Sequence, residues 1–124
     1  MTEISGRAAV VTGSGSGIGE GVAKELARQG AKVAVADIIP ENAERVAGEI
    51  TAAGGRAVAI VCDVCERDSI TAMKRQAEEA LGPVSLVFAN AGATSFDPLV
   101  DMTDDDVDWI LQVNLHGVMN TTRA

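Results

Sequence analysis

The sequence predicts a doubly wound α/β fold, a parallel sheet with helices on both faces. Four short apolar runs, rich in valine, alternate with four stretches of helical periodicity. Strands buried on both faces give such runs, and strand–helix–strand crossovers join parallel strands in a right-handed sense. A dense glycine cluster directly follows the first run, where a strand must turn into a helix.

The elements are predicted from these runs and from their stop signals. Strands are expected at residues 8–11, 33–36, 57–61 and 86–89, and helices at residues 17–29, 41–53, 68–81 and from 104 onwards. Glycines follow the first three helices, as is typical of helix ends. The last helix has an N-cap threonine and three aspartates in its first turn, and its predicted buried stripe is Val107, Ile110, Leu111, Leu115 and Val118.

The composition predicts one acidic, soluble domain over residues 1–124. With 18 acidic and 10 basic residues, the net charge of −8 disfavours nucleic acid and anionic membranes as partners. No apolar run approaches the roughly 20 residues that span a bilayer. The N-terminus has no basic segment followed by a long apolar run, so no signal peptide is predicted and the expected location is cytoplasmic.

Two cysteines occur as Cys62-Asp63-Val64-Cys65. Zinc sites use about four ligands, and the sequence offers no second cysteine pair and one distant histidine, His116, so no metal site is predicted. A redox pair remains an alternative, because the motif lies between a strand and a helix. The favoured interpretation is that Cys62 is a small core residue and that Cys65 opens a loop.

The glycine cluster lies in the segment VVTGSGSGIGEG, residues 10–21. A triphosphate-binding loop needs Gly-Lys-Ser/Thr, but Glu20 follows Gly19. The common dinucleotide pattern G-x-G-x-x-G fails because Ile18 and Glu20 stand where the third glycine is required. A methyltransferase-type G-x-G-x-G matches, but Val11 replaces the acid usual before it, so binding of S-adenosylmethionine is the second-ranked alternative.

The remaining pattern is Thr12-Gly13-x-x-x-Gly17-x-Gly19, which resembles the T-G-x-x-x-G-x-G loop of the short-chain dehydrogenase/reductase family. The resemblance implies a Rossmann-type sheet, truncated to about four strands in the order 3-2-1-4, that binds NAD(P). The loop residues that it implies for cofactor binding are Thr12, Gly13, Ser14, Gly15, Ser16, Gly17, Ile18 and Gly19.

Asp37 ends the second strand, 18 residues after Gly19. An acid at this place can accept hydrogen bonds from the adenosine ribose and would repel the 2′-phosphate of NADP. Its neighbour Ile38 supplies no cation for that phosphate. The sequence therefore predicts NAD as the preferred cofactor.

The resemblance also implies contacts at the ends of the third and fourth strands. Asp63 and Val64 would border the adenine. Asn90, Ala91 and Gly92 resemble the end of the family's N-N-A-G, with Ala89 in place of the first asparagine, and would lie beside the cofactor.

Asn114 lies on the apolar stripe of the last helix, so a buried amide is predicted there. In the family an asparagine on this helix belongs to an Asn-Ser-Tyr-Lys tetrad, which implies a supporting catalytic role for Asn114. Backbone partners for a core asparagine are the structural alternative.

The sequence contains no tyrosine, so the tetrad's Tyr and Lys pair is absent, and the resemblance covers only the first half of a family member. The expectation is an NAD-binding portion of an oxidoreductase that transfers hydride between NAD(H) and an alcohol or ketone, inactive by itself. A stand-alone sensor or pseudoenzyme is an alternative. Self-association is expected through the open edge at residues 86–90 or through the stripe from Val107 to Val118.

Overall fold

A four-stranded parallel sheet organises the computed structural model, which describes residues 3–124. The strands are β1 (Ala8–Thr12), β2 (Lys32–Asp37), β3 (Arg56–Val61) and β4 (Val84–Phe88). Their order in the sheet is β3-β2-β1-β4, which confirms the predicted order. Because the chain moves outward from β1 to β3 and then returns to the other side of β1, a crevice opens at the carboxyl ends of β1 and β4.

Helices connect the strands and cover both faces of the sheet. They are α1 (Gly17–Arg28), α2 (Pro40–Ala52), α3 (Arg67–Leu81), α4 (Asp104–Leu111) and α5 (Val118–Arg123). The predicted bounds of the first three helices agree to within one residue at each end. A π-helical segment, Gln112–Gly117, joins α4 to α5, and we call the whole of 104–123 the last helix. Within residues 3–124, no helix has the length and apolar character needed to cross a membrane.

The core lies in two layers, one on each side of β1 and β2. Alternate β1 residues divide between them: Ala8 and Val10 pack with α3 and the last helix, whereas Ala9 and Val11 pack with α1 and α2. Both central strands are buried on both faces, as predicted. The edge position of β4 confirms the expected open edge at residues 86–90. Burial on both faces was a wrong prediction for β3 and β4, since most of their residues are partly or fully exposed.

The predicted buried stripe of the last helix is wrong in register. The buried residues of the last helix are Val113, Gly117 and Thr121, whereas Leu111 and Leu115 of the predicted stripe are 48% and 50% exposed. The last helix packs through the face that carries small residues, because only small residues let it approach the segment after β3 closely. A Cβ on Gly117 would lie 2.8 Å from Cγ2 of Val64. The π-helical segment also widens the turn, so spacing counted for a regular α-helix does not carry across it.

The packing at Gly117 predicts a stability difference between two helical glycines. Gly117→Ala should lower the free energy of unfolding by about 1–3 kcal/mol, because the new methyl group overlaps Val64. Gly48→Ala, in the interior of α2 with open space around it, should raise it by about 0.5–1 kcal/mol. Urea denaturation measures both, and equal effects in the two variants would contradict the packing described for the last helix.

Candidate functional site

A cleft of about 690 Å³ opens at the carboxyl ends of the strands. It is lined by the loop between β1 and α1, the residues that follow β2, β3 and β4, and one side of the last helix. The structure brings together here most of the residues predicted for a cofactor site, namely Gly13, Ser16, Ile18, Gly19, Asp37, Ile38, Asp63, Val64, Asn90, Ala91 and Gly92.

The floor of the cleft is built from glycines that leave no room for side chains. A Cβ on Gly13 would lie 2.8 Å from Cα of Ala91, and a Cβ on Gly19 would overlap the carbonyl oxygen of Gly13. Gly13 and Gly17 also adopt φ angles of +66° and +58°, in the region that favours glycine. The pattern glycines therefore let β1, α1 and the end of β4 approach each other closely.

Side chains from the end of β1 and from the segment after β4 hold the loop in place. The Thr12 hydroxyl donates to the carbonyl of Phe88 (3.4 Å) and accepts from the amide of Ala91 (3.1 Å). The Asn90 amide nitrogen donates to the carbonyls of Thr12 (3.1 Å) and Gly13 (3.3 Å). These bonds direct the carbonyl groups at the start of the loop towards β4.

The first turn of α1 presents backbone N–H groups beside the cleft. The N-cap residue Ser16 makes no side-chain hydrogen bond to that turn, and Ile18 and Gly19 line the cavity. The first N–H groups of a helix have no partner within the helix, and the helix dipole places partial positive charge there. This end of α1 is therefore suited to an anionic group such as a phosphate.

Asp37 lies at the end of β2 with a carboxylate fixed by two backbone bonds. Its Oδ2 accepts from the N–H of Gly15 (2.9 Å) and its Oδ1 from the N–H of Ile39 (2.9 Å). The residue is only 8% exposed, but it lines the cleft beside the exposed side chain of Ile38. A carboxylate has about four acceptor positions, so Asp37 retains capacity to accept bonds from ligand hydroxyls.

Four of the residues predicted to bind the cofactor do not line the cleft: Thr12, Ser14, Gly15 and Gly17. They shape the loop beside it. The Ser14 side chain is fully buried, and its hydroxyl donates to the carbonyl of Val11 (2.6 Å). Gly15 is also buried, so the contribution of these residues to the site is the path of the backbone.

The segment after β3 supplies a further wall. The Asp63 N–H donates to the Ser69 hydroxyl (2.9 Å), and Oδ1 of Asp63 accepts from the N–H of Cys65 (2.9 Å).

Both cysteines are free, and desolvation raises the pKa of the Cys62 and Cys65 thiols, with the Asp63 charge adding to the effect. Neutral thiols are poor nucleophiles, which argues against the redox alternative. Within the described residues, no cluster of His, Cys, Asp and Glu could hold a metal ion.

Asn114 is exposed, so the predicted buried amide was wrong; the π-helical segment turns it away from the packed face. Its side chain nevertheless makes two hydrogen bonds to one residue. Oδ1 accepts from the N–H of Ala93 and Nδ2 donates to the carbonyl of Ala93, both at 2.7 Å. This bridge fixes the loop after β4 against the last helix, beside the cleft.

Sequence reasoning missed an ion-pair cluster behind the glycine loop. Arg45 of α2 contacts Glu20 of α1 (2.7 Å) and Glu49 (3.1 Å), while Lys24 contacts Glu20 (2.5 Å) and Glu49 (2.7 Å). Hydrogen bonds from Arg45 and Lys24 lower the pKa of Glu20 to about 2. The spacing of Glu20 to Lys24 and of Arg45 to Glu49 was a visible signal, since residues four apart meet on a helix.

Three residues of the last helix also line the cleft and were not predicted as site residues: the exposed Trp109 and Gln112 and the buried Val113. Nothing in the local sequence distinguishes them from other residues of this helix. Their position follows from the packing of the last helix, which the predicted stripe had in the wrong register.

Comparisons with known proteins agree with this geometry. The chain is 39% identical over 124 residues to oxidoreductase UcpA of Escherichia coli K12, spanning all of this chain and 47% of that protein. It is 42% identical over 116 residues to versicolorin reductase 1 of Dothistroma septosporum, spanning 92% of this chain and 44% of that protein. The chain thus spans about half the length of the curated relatives it matches.

Solved structures show the same architecture. A short-chain dehydrogenase/reductase from Burkholderia phymatum, solved in complex with NAD, superposes with a TM-score of 0.95 at 34% identity over 99% of this chain and 44% of that one. A structure described as that of a short-chain dehydrogenase from Novosphingobium aromaticivorans gives a TM-score of 0.94 at 36% identity, over 99% of this chain and 45% of that one. The family model for short chain dehydrogenases matches residues 7–124, and the chain belongs to this family.

Proposed function

We propose that residues 1–124 form a single NAD-binding domain, the cofactor-binding portion of an oxidoreductase that transfers hydride between NAD(H) and an alcohol or ketone. The observation that carries the proposal is the cleft, whose glycine floor and helix N-terminus adjoin a fixed carboxylate at the end of β2. NAD, when bound, supplies the hydride acceptor. The residues described here bind and orient it.

Each part of the dinucleotide has a proposed place. The pyrophosphate lies at the N-terminus of α1, where a side chain on Gly13 or Gly19 would distort the backbone. Asp37 accepts hydrogen bonds from the adenosine ribose. The adenine lies among Ile38, Asp63 and Val64, and the nicotinamide half lies along Asn90, Ala91 and Gly92. Thr12, Ser14, Gly15 and Gly17 hold the loop that makes these contacts.

NAD is proposed as the preferred cofactor because of the charge beside the ribose position. The Asp37 carboxylate is nearly buried and held by two N–H groups, so it cannot turn away from a 2′-phosphate. Arg45, the cation that contacts the loop at the Gly15 carbonyl, is already paired with Glu20 and Glu49. A 2′-phosphate would therefore meet a like charge without a free partner.

Catalysis is proposed to require residues beyond these 124. The sequence has no tyrosine to act as a general acid or base, and its relatives are about twice as long. Asn114 is proposed to support the reaction by fixing the loop after β4, which its amide contacts through Ala93. The 124 residues alone should bind cofactor without turnover.

Of the alternatives, the methyltransferase is not retained, because the family match covers the whole loop and site.

A cytoplasmic location is proposed with the function. Cys62 and Cys65 are both free thiols, which is usual for proteins of reducing compartments.

The proposed function predicts selective binding of NAD. Isothermal titration should give NAD an affinity at least about tenfold above that of NADP, because of the Asp37 charge, and Asp37→Asn should narrow this ratio. Gly19→Ala should weaken NAD binding more than about tenfold, because its methyl group would displace the Gly13 carbonyl. Gly21→Ala is the matched control, since the same helix has open space at Gly21. Equal binding by the two alanine variants, or binding of S-adenosylmethionine instead of NAD, would contradict the proposal.

Self-association is proposed through two exposed apolar surfaces. One is the edge of β4, where Val87 and Phe88 are exposed, and the other is the outer face of the last helix, which carries Leu111, Leu115 and Met119. Open strand edges and large exposed apolar patches favour association.

Light scattering at increasing protein concentration tests this association. The wild type should be dimeric or larger, and Leu111→Glu with Leu115→Glu should shift it towards monomer if the helix face carries the contact. Gln76→Glu, on the exposed side of α3, is the control and should leave the molar mass unchanged. A monodisperse wild-type monomer at high concentration would exclude self-association.

A further inference from the structure

Both backbone polar groups of one residue in the glycine loop, Gly15, are held by charged side chains. The N–H of Gly15 donates to Oδ2 of Asp37 (2.9 Å), and the carbonyl of Gly15 accepts from Nη2 of Arg45 (3.1 Å). The residue is buried, and a Cβ there would lie 2.7 Å from Cβ of Asn42 and 2.8 Å from Oδ2 of Asp37. Gly15 is therefore clamped between β2 and α2, two residues before α1 begins.

The Arg45 guanidinium is itself fixed by partners on three sides. Besides the Gly15 carbonyl, it contacts Glu20 on α1 (2.7 Å) and Glu49 one turn further along α2 (3.1 Å). Arginine suits this position because its planar fork presents several donors at fixed angles, whereas a lysine ammonium is a point charge on a flexible stem. One side chain thus ties the loop to both helices that follow it.

The same ion-pair cluster neutralises Glu20, an acid that would otherwise repel an anion bound nearby. Glu20 lies in the first turn of α1, the end at which the proposed function puts an anionic pyrophosphate. Arg45 and Lys24 both pair with it, and Glu49 completes a group of two acids and two bases with no net charge. Losing either base would leave one negative charge beside the phosphate position.

We propose that Arg45 is a positioning residue for the dinucleotide: it holds the Gly15 carbonyl while Asp37 holds the Gly15 N–H, and so fixes the glycine loop in its binding conformation. Arg45 does not line the cleft, so the proposal gives it no direct contact with the cofactor. This role rests on the proposed function, because it concerns the same site. It differs from a purely stabilising role, because the Arg45 side chain is 46% exposed and its ion pair with the equally exposed Glu49 contributes little to stability.

A pair of variants separates the clamp from the charge. Arg45→Met and Lys24→Met each remove one positive charge that pairs with Glu20 and Glu49, but only Arg45→Met removes the bond to the Gly15 carbonyl. Isothermal titration should show NAD binding weakened at least about fivefold in Arg45→Met and less than about twofold in Lys24→Met. Arg45→Lys should be intermediate, since it retains the charge without the fork. Thermal melting should be similar for Arg45→Met and Lys24→Met.

Hydrogen exchange in the absence of cofactor supplies a second readout. The Gly15 amide should exchange faster in Arg45→Met than in the wild type and should be unchanged in Lys24→Met. Equal loss of NAD affinity in the two methionine variants, or no loss in Arg45→Met, would overturn the positioning role while leaving the proposed function intact. A wild type that does not bind NAD would overturn the proposed function, and the positioning role with it.

Discussion

The close approach of three backbone segments at Gly13 and Gly19 is the constraint on which the site depends. The loop after β1 lies against Ala91 at the end of β4, and α1 begins against the Gly13 carbonyl, at separations that exclude a Cβ at either glycine. Because these segments touch, the N-terminus of α1 opens on the crevice between β1 and β4. Larger residues there would force the helix away from the sheet and close the anion position.

Some polar side chains around this contact hold the loop in place, and others line the cleft. Thr12 bonds the end of β4 and the segment that follows it, and Ser14 bonds the Val11 carbonyl of β1, so both side chains fix the loop from within the protein. Asp37 does both, since its oxygens hold two backbone N–H groups at the rim of the cavity. A site with so many prior bonds needs little rearrangement to receive a ligand, which reduces the entropy lost on binding.

Local patterns predicted the parts of the molecule in which local and tertiary preferences agree. The strands β1 and β2, the first three helices and the position of Asp37 at the end of β2 were predicted from the sequence, because buried strands and helix ends impose strong residue patterns. The packed face of the last helix could not be predicted in this way, because Gly117 packs closely by having no side chain and so gives no apolar signal. The π-helical segment also interrupts the helical periodicity of the sequence. The bond from Arg45 to Gly15 spans 30 residues and leaves no local pattern.

The central claim is that the preformed glycine loop is where a dinucleotide binds, and amide chemical shifts during titration with NAD test it most directly. The account predicts the largest shifts at the amides of Gly13 and of residues 16–19, with further shifts at Asp37, Asp63 and Val64. Backbone amides at the start of β4, near Val84, lie at the opposite end of that strand from the cleft and should stay unchanged. Saturable NAD binding without shifts in the glycine loop would contradict the account.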